Sequence, residues 1–184
     1  MAGMNPLITV EELATLLREG EPVVLCAAMG PNPPTRGIPG SHLADLEGDF
    51  SDPGNPLPHT VPGDLTGLFE SYGVSDGTPV VVYDDQAGAS APRVWWLAKV
   101  AGVDARVLDG GLPAWRAAGH PVGELTRPAA RGTLNAAPRP HLLVDAGRVT
   151  GGGRLVVDAR SAGRFEGVEP EPRPACVRAT SRGP

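Results

Sequence analysis

Three short, mainly apolar runs that alternate along the chain with segments of helical spacing most constrain what this chain can fold into. The runs cover residues 23–27, 79–83 and 105–108. A strand built almost only from apolar residues is typical of a parallel sheet whose two faces are both covered. Their alternation with helical segments predicts an α/β domain with a central parallel sheet flanked by helices.

Local signals predict where the helices begin and end. Thr9 and Glu12 have the spacing of a capping box, and the helix that follows is expected to end at Gly20. Further helices are predicted over residues 64–72, 90–100 and 113–118, with an additional short strand at 42–46.

A change of composition near residue 122 predicts the division of the chain. Residues 5–122 are predicted to form one complete domain. Residues 123–140 have no periodicity and are rich in Pro, Ala and Arg, which is typical of a linker. Residues 141–184 repeat the order of a short helix and an apolar strand, the latter at 154–159. We therefore expect the start of a second domain, cut short, with an atypical tail from about residue 170.

The net charge of −5 and the pI of about 5.3 argue against nucleic acid or an anionic membrane as a partner. A small anionic ligand in a local pocket stays compatible with this charge. No run of 18 apolar residues and no secretion signal is present, so we expect a cytoplasmic protein. Two cysteines and four scattered histidines have no ligand spacing, so neither a metal site nor a cofactor is expected.

Several short motifs occur in the order found in rhodanese domains, and the chain resembles a two-domain sulfurtransferase of that family. These are GIPGS at 37–41, PLPH at 56–59, VVYDD at 81–85 with SAPRVWWL at 90–97, LDGGLPAW at 108–115, DARS at 158–161 and RFEG at 164–167. The resemblance implies a rhodanese fold. It also implies transfer of a sulfane sulfur from thiosulfate or 3-mercaptopyruvate to a thiophilic acceptor, through a cysteine persulfide.

The resemblance further implies that the first domain is not catalytic, because the catalytic cysteine of the family lies in the second domain. Asp84 stands where an active domain has cysteine, and a carboxylate oxygen cannot form a persulfide. Asp84 or Asp85 is therefore expected to cap a helix or to have another structural role. No catalytic residue is assigned, and the chain is predicted to be inactive because the loop with the catalytic cysteine is missing.

Three residues are considered for binding or catalysis. Arg164 matches a family arginine that binds the anionic donor, with a solvated surface arginine as the alternative. Cys26, in an apolar run, is expected to be a buried and inert thiol. Cys176 is the remaining candidate nucleophile, but we expect an exposed thiol without a catalytic role, because no set of amides surrounds it.

Two other functions are left open by the sequence. The first domain could be a non-catalytic binding or regulatory module. Alternatively, a separate chain could supply the catalytic domain and dock on this one, which would require an exposed apolar patch.

Overall fold

The structure, a computed structural model, describes residues 5–55, 59–153 and 155–169. Its strands are β1 (Leu7–Ile8), β2 (Val23–Ala28), β3 (Arg36–Gly37), β4 (His42–Asp45), β5 (Val80–Tyr83), β6 (Ala105–Leu108) and β7 (Gly123–Glu124). Five of them form one sheet in the order β1-β6-β5-β2-β4, and every neighbouring pair is parallel. The strands β3 and β7 form a separate antiparallel pair.

Four helices pack on this sheet: α1 (Val10–Glu19), α2 (Leu65–Ser71), α3 (Ala91–Ala101) and α4 (Gly111–Ala117). The predicted capping box is confirmed, because the Glu12 N–H donates to Thr9 Oγ1 at 3.2 Å and the Thr9 N–H donates to the Glu12 carboxylate at 2.9 Å. Gly20 follows the last residue of α1, as predicted.

Alternate residues of the central strands supply two separate cores. Leu25, Val80 and Val82 pack with α2 and α3 on one face, whereas Cys26 and Tyr83 pack with α1 and α4 on the other. All residues of β2 and β5 are buried, as expected for strands covered on both faces. The predicted α/β fold with a central parallel sheet flanked by helices is confirmed.

Of the segment predicted as a linker (residues 123–140), residues 123–139 lie against the domain and are called here the strap, whereas Pro140 begins a 3₁₀ helix. It begins with β7 on β3, and the Thr126 N–H donates to the Ser41 carbonyl at 2.9 Å. Near its end, the Arg139 N–H donates to the Val100 carbonyl at 2.7 Å.

Two carboxylates of the domain hold the middle of the strap. Glu70 accepts from Arg131 at 2.7 Å and from the Leu134 N–H at 3.0 Å. Asp76 accepts from both the backbone and the side-chain amide of Asn135 at 2.9 Å. The strap therefore has specific contacts along its length, which its composition did not indicate. The division into a domain, a linker and a second domain stays a prediction.

The expected strand at 154–159 is wrong for the described residues 155–159, which have no sheet partner. A strand needs a neighbour with which it exchanges hydrogen bonds, and no strand of the described residues lies beside this segment. The short helix expected before it is present as α5 (Ala146–Thr150), which follows a 3₁₀ helix (Pro140–Leu142). Helix α6 (Ala162–Phe165) follows, and the atypical tail lies outside the described residues.

In the described part of the chain, no helix combines the length and the apolar character that crossing a bilayer requires.

Candidate functional site

The loop over residues 84–90 connects β5 to α3 and is the candidate site. Because β5 is the central strand of the sheet, the loop lies at the carboxyl end of the sheet's middle. Ligands of open parallel α/β sheets bind at this edge. The loop is therefore the position where the fold itself favours a functional group.

The Asp84 side chain points into this loop and is 1% exposed. One of its oxygens, Oδ1, accepts from the backbone N–H groups of Gln86 at 3.1 Å and Gly88 at 2.9 Å. The other, Oδ2, accepts from those of Ser90 at 2.9 Å and Ala91 at 2.8 Å. A set of four inward-pointing amides is thus occupied by a carboxylate of the same chain.

These amides also determine the ionisation of Asp84. Burial acts to raise the pKa of Asp84, but the four backbone N–H donors outweigh it and hold the pKa below its ordinary value. The carboxylate is therefore ionised at neutral pH, and its negative charge occupies the position where these amides could otherwise bind an external anion. The expectation of a helix-capping or structural acid is confirmed for Asp84, since it accepts from the first N–H of α3.

Side chains on the outside of the loop fasten it further. The Gln86 side-chain amide donates to the Met29 carbonyl at 3.3 Å, and Ser90 Oγ donates to Gln86 Oε1 at 2.6 Å. Asp85 forms an exposed ion pair with Arg116 at 3.3 Å. The polar groups of the loop are consequently engaged within the domain.

Cys26 lies on β2 in register with Tyr83 and is fully buried. Burial raises the pKa of Cys26 to about 11. The thiol is therefore neutral at physiological pH, and a neutral thiol is a poor nucleophile. The expectation of a buried thiol is confirmed, and Cys26 does not reach the loop surface.

The Tyr83 hydroxyl connects the GIPGS motif to the base of the loop. It accepts from the Ile38 N–H at 2.9 Å and lies 2.7 Å from Ser41 Oγ, which donates to the Ile38 carbonyl at 2.6 Å. A side chain on Gly37 would overlap the Tyr83 hydroxyl oxygen. No local pattern in the sequence predicts this network, because residues 38 and 83 are far apart in the chain.

A second missed feature is the pair His59 and Arg93, beside the same edge of the sheet. The Arg93 guanidinium donates to the His59 carbonyl, and His59 Nδ1 lies 3.0 Å from the Leu46 carbonyl. His59 has a φ of +56°, which is unusual for a residue with a side chain. Burial lowers the pKa of Arg93. Both residues occur in the motifs PLPH and SAPRVWWL, but nothing in the sequence indicated that the two motifs meet.

Arg164, the predicted donor-binding residue, lies on α6, outside the sheet domain. Its neighbour there is Asp158, whose pKa is lowered to about 2, first by hydrogen bonds from Arg160 and to a lesser degree by the charge of Arg164. The cysteine that the structure describes, Cys26, is buried in the core, and Arg164 does not lie at a thiol that could react. Its role in binding the donor therefore stays a prediction. Cys176 lies outside the described residues.

Among residues 5–55, 59–153 and 155–169, no three side chains of His, Cys, Asp or Glu are grouped closely enough to hold a metal ion.

Comparison with known proteins gives consistent matches to sulfurtransferases. The profile of the rhodanese-like domain matches residues 9–118. A probable 3-mercaptopyruvate sulfurtransferase of Pseudomonas aeruginosa is 36% identical over 186 residues, covering 89% of this chain and 65% of its own length. A putative thiosulfate sulfurtransferase, SseB, of Mycobacterium tuberculosis is 34% identical over 189 residues, covering 89% and 64%.

A solved structure gives the same result. The crystal structure of the 3-mercaptopyruvate sulfotransferase SseA from Escherichia coli superposes with a TM-score of 0.70 at 28% identity, over 79% of this chain and 60% of that one. The chain thus spans less than two thirds of the length of each of these three relatives.

Proposed function

Because this chain belongs to the rhodanese-like family, we propose that residues 5–122 are the non-catalytic domain of a thiosulfate or 3-mercaptopyruvate sulfurtransferase. The whole protein would move a sulfane sulfur from one of these donors to a thiophilic acceptor. The occupation of the loop by Asp84 is the observation on which the proposal depends.

The chemistry of the reaction explains why this occupation matters. A thiolate attacks the outer sulfur of thiosulfate, the S–S bond breaks, sulfite leaves, and the acceptor then removes the sulfur from the persulfide. Amides that point inward stabilise the thiolate and the anionic donor. In this loop the four amides already bind Asp84, whose oxygens cannot accept a sulfane sulfur.

We further propose that the chain as given does not turn over. In the described part of the chain the cysteine is Cys26, which is buried and protonated. Cys176 remains as a second thiol in the sequence, and we propose that it has no catalytic role.

The direct test is sulfur transfer from thiosulfate, and separately from 3-mercaptopyruvate, to cyanide by the purified chain. We expect no thiocyanate above the background of the reagents. Turnover that disappears in Cys176→Ser would contradict the proposal and make Cys176 the nucleophile. Turnover that is unchanged in Cys176→Ser but disappears in Cys26→Ala would instead assign it to Cys26.

A gain-of-function variant tests the role of Asp84 itself. In Asp84→Cys a thiol replaces the carboxylate inside the four amides and at the start of α3, which lowers the pKa of a thiol. We expect this variant to take up one sulfur atom from thiosulfate, detected by intact-protein mass spectrometry. The matched control is Asp85→Cys, one residue away on the exposed side, which should take up none. Equal labelling of both variants would show that the amides have no influence.

A second candidate function is a non-catalytic binding module that a separate catalytic domain completes. Exposed apolar side chains between Leu142 and Val168 support it. The test is to mix the chain with the part of the Pseudomonas relative that lies beyond the matched region. Sulfur transfer by the mixture that neither piece shows alone would support this function. No transfer by the mixture would favour the first proposal, in which the chain is inactive.

A further inference from the structure

A charged side chain interrupts the apolar centre of the sheet. In the inner strands β6, β5 and β2, all of whose residues the structure describes, Arg106 is the single charged residue. It is half-buried and in register with Val81, near the amino end of β6. Strands covered on both faces are typically apolar, because taking a charge out of water is costly. Packing alone therefore does not account for a guanidinium at this position.

Arg106 lines a cavity of about 420 Å³ at the amino ends of β5 and β6. The cavity lies at the opposite end of these strands from the loop over residues 84–90. Its apolar walls include Leu16 of α1, Val103 before β6 and Leu134 of the strap. Small-molecule sites have volumes of about 300–1,000 Å³ and combine apolar walls with a few polar groups. The cavity has both the size and the composition of such a site.

The carboxylates that line the cavity are engaged by other groups. Asp76 accepts from the backbone and side-chain amides of Asn135 at 2.9 Å. Asp104 forms an ion pair with Lys99 at 3.2 Å. In the described part of the chain, no carboxylate forms an ion pair with Arg106. The guanidinium is consequently the charge at this cavity that a ligand can neutralise.

We propose that the cavity binds a small organic carboxylate, with its two oxygens on the Arg106 guanidinium and its apolar part against the apolar walls. A guanidinium offers two parallel N–H donors whose spacing matches a carboxylate. The surrounding apolar walls reduce the screening of this pair by water. An inorganic anion would satisfy the arginine but leave the walls in contact with water, so a ligand with both parts binds more tightly.

Titration of the isotope-labelled full chain with benzoate, followed by heteronuclear NMR, tests the proposal. We expect saturable shifts of the amide signals of Gly77, Gly102 and Arg106, with a Kd of about 1 mM. Benzamide, which lacks the charge, and acetate, which lacks the ring, should each bind at least about tenfold more weakly. No saturation up to about 20 mM benzoate, or shifts confined to residues 84–90, overturns the proposal.

Variants at arginine separate the local contact from the overall charge. Arg106→Gln should weaken benzoate binding at least about tenfold and leave benzamide binding unchanged. Arg106→Lys keeps the charge without the paired donors and should have an intermediate affinity. The matched control is Arg18→Gln, which removes the same charge from an exposed position of α1 close to the cavity wall at Leu16. Equal affinity of Arg106→Gln and Arg18→Gln for benzoate overturns the proposal.

Two further titrations identify other occupants of the cavity. Glu171 is the single acid among the residues outside the described part, and Glu171→Gln should bind benzoate as the wild type does. Tighter binding by this variant would show that the chain's own carboxylate competes for the site, which overturns the proposal. Thiosulfate should bind no more tightly than acetate, because it has no apolar part. Tighter binding of thiosulfate would assign the cavity to the sulfur donor instead. These binding measurements do not depend on sulfur transfer, so they can fail independently of the proposed function.

Discussion

At Asp84 the cost of burying a charge is offset by four hydrogen bonds from the backbone. A hydrogen bond to a charged group contributes about 1.5–3 kcal/mol, whereas a buried charge without partners is strongly destabilising. The loop over residues 84–90 has no regular structure of its own. Because this carboxylate accepts four of the loop's hydrogen bonds, removing its charge should affect the whole loop.

We expect Asp84→Asn to lower the free energy of unfolding by about 2–4 kcal/mol, measured by urea denaturation. The asparagine side chain keeps one oxygen, but its NH₂ group faces backbone donors. The control is Asp85→Asn, which removes only an exposed ion pair and should cost at most about 1 kcal/mol. Equal losses in the two variants would contradict the structural role of Asp84.

The stability difference between wild type and Asp84→Asn should also depend on pH. The pKa of Asp84 is lowered in the folded state, so its ionised form stabilises the fold at every pH above its unfolded pKa of about 3.9. This contribution is lost as the pH falls through the folded pKa. The difference in stability between wild type and Asp84→Asn should therefore be constant between about pH 7 and 5 and shrink below about pH 4. A difference that grows on acidification would contradict this.

A second prediction at the residue scale concerns Gly37, where a methyl group would overlap the Tyr83 hydroxyl. We expect Gly37→Ala to cost about 1–3 kcal/mol of unfolding free energy. Gly20→Ala makes the same chemical change where the nearest atom lies at 3.4 Å, and it should cost no more than about 0.5 kcal/mol. In a double-mutant cycle, Tyr83→Phe should recover part of the loss, because it removes the overlapped oxygen. Strict additivity would show that the hydroxyl is not the cause.

The role of Asp84 as a structural acid is predictable from the sequence, but the geometry of its hydrogen bonds is not. A carboxylate before a helix is a local signal. The four amides that meet it depend on the path of the whole loop, with Ala87 and Gly88 both at positive φ. The Tyr83 network was missed for a related reason, since it joins residues more than 40 positions apart.

At the scale of elements, local signals were sufficient for α1 and for the central strands. Apolar runs and caps are read from neighbouring residues, and tertiary structure agrees with them here. They failed at residues 155–159, where the strand pattern is present but no strand of the described chain lies beside it. They also failed at the strap, whose contacts are polar, long-range and made by residues without periodicity.

The strap should behave as part of the domain. We expect a chain ending after Val122 to be less stable than one ending after Leu142 by about 2–4 kcal/mol, because it loses several hydrogen bonds of about 1 kcal/mol each. It also exposes core next to Leu125 and Leu134, which pack against the two apolar clusters. Thermal unfolding followed by circular dichroism measures the difference. Equal stability of the two chains would show that residues 123–139 are a linker whose contacts do not stabilise the domain.

At the scale of the whole molecule, buried structure and charge are both distributed unevenly. Among the residues that the structure describes, the two cores consist of residues of the domain with two leucines of the strap, Leu125 and Leu134, packed against them. In the described part of residues 141–169 no side chain is buried. Of the charged residues, 15 acids and six cations lie in residues 1–122, giving −9, and the rest of the chain has +4. The stability of the fold therefore belongs to residues 5–139, and the region beyond should open independently.

Limited digestion with trypsin compares how readily the backbone opens in the strap and in the region beyond it, because each has an arginine at which trypsin can cut. The peptide bond after Arg131 is held, because the Gly132 N–H donates to the Glu70 carbonyl at 2.8 Å. Arg148, in contrast, lies in the five-residue helix α5, which is too short to be stable without packing. We expect cleavage after Arg148 to precede cleavage after Arg131, while the unfolding free energy of the shortened product stays within about 0.5 kcal/mol of the full chain. The order is read by mass spectrometry of timed samples. Early cleavage after Arg131 would mean that the strap opens as readily as the region beyond it, since a protease cuts only backbone that leaves its hydrogen bonds.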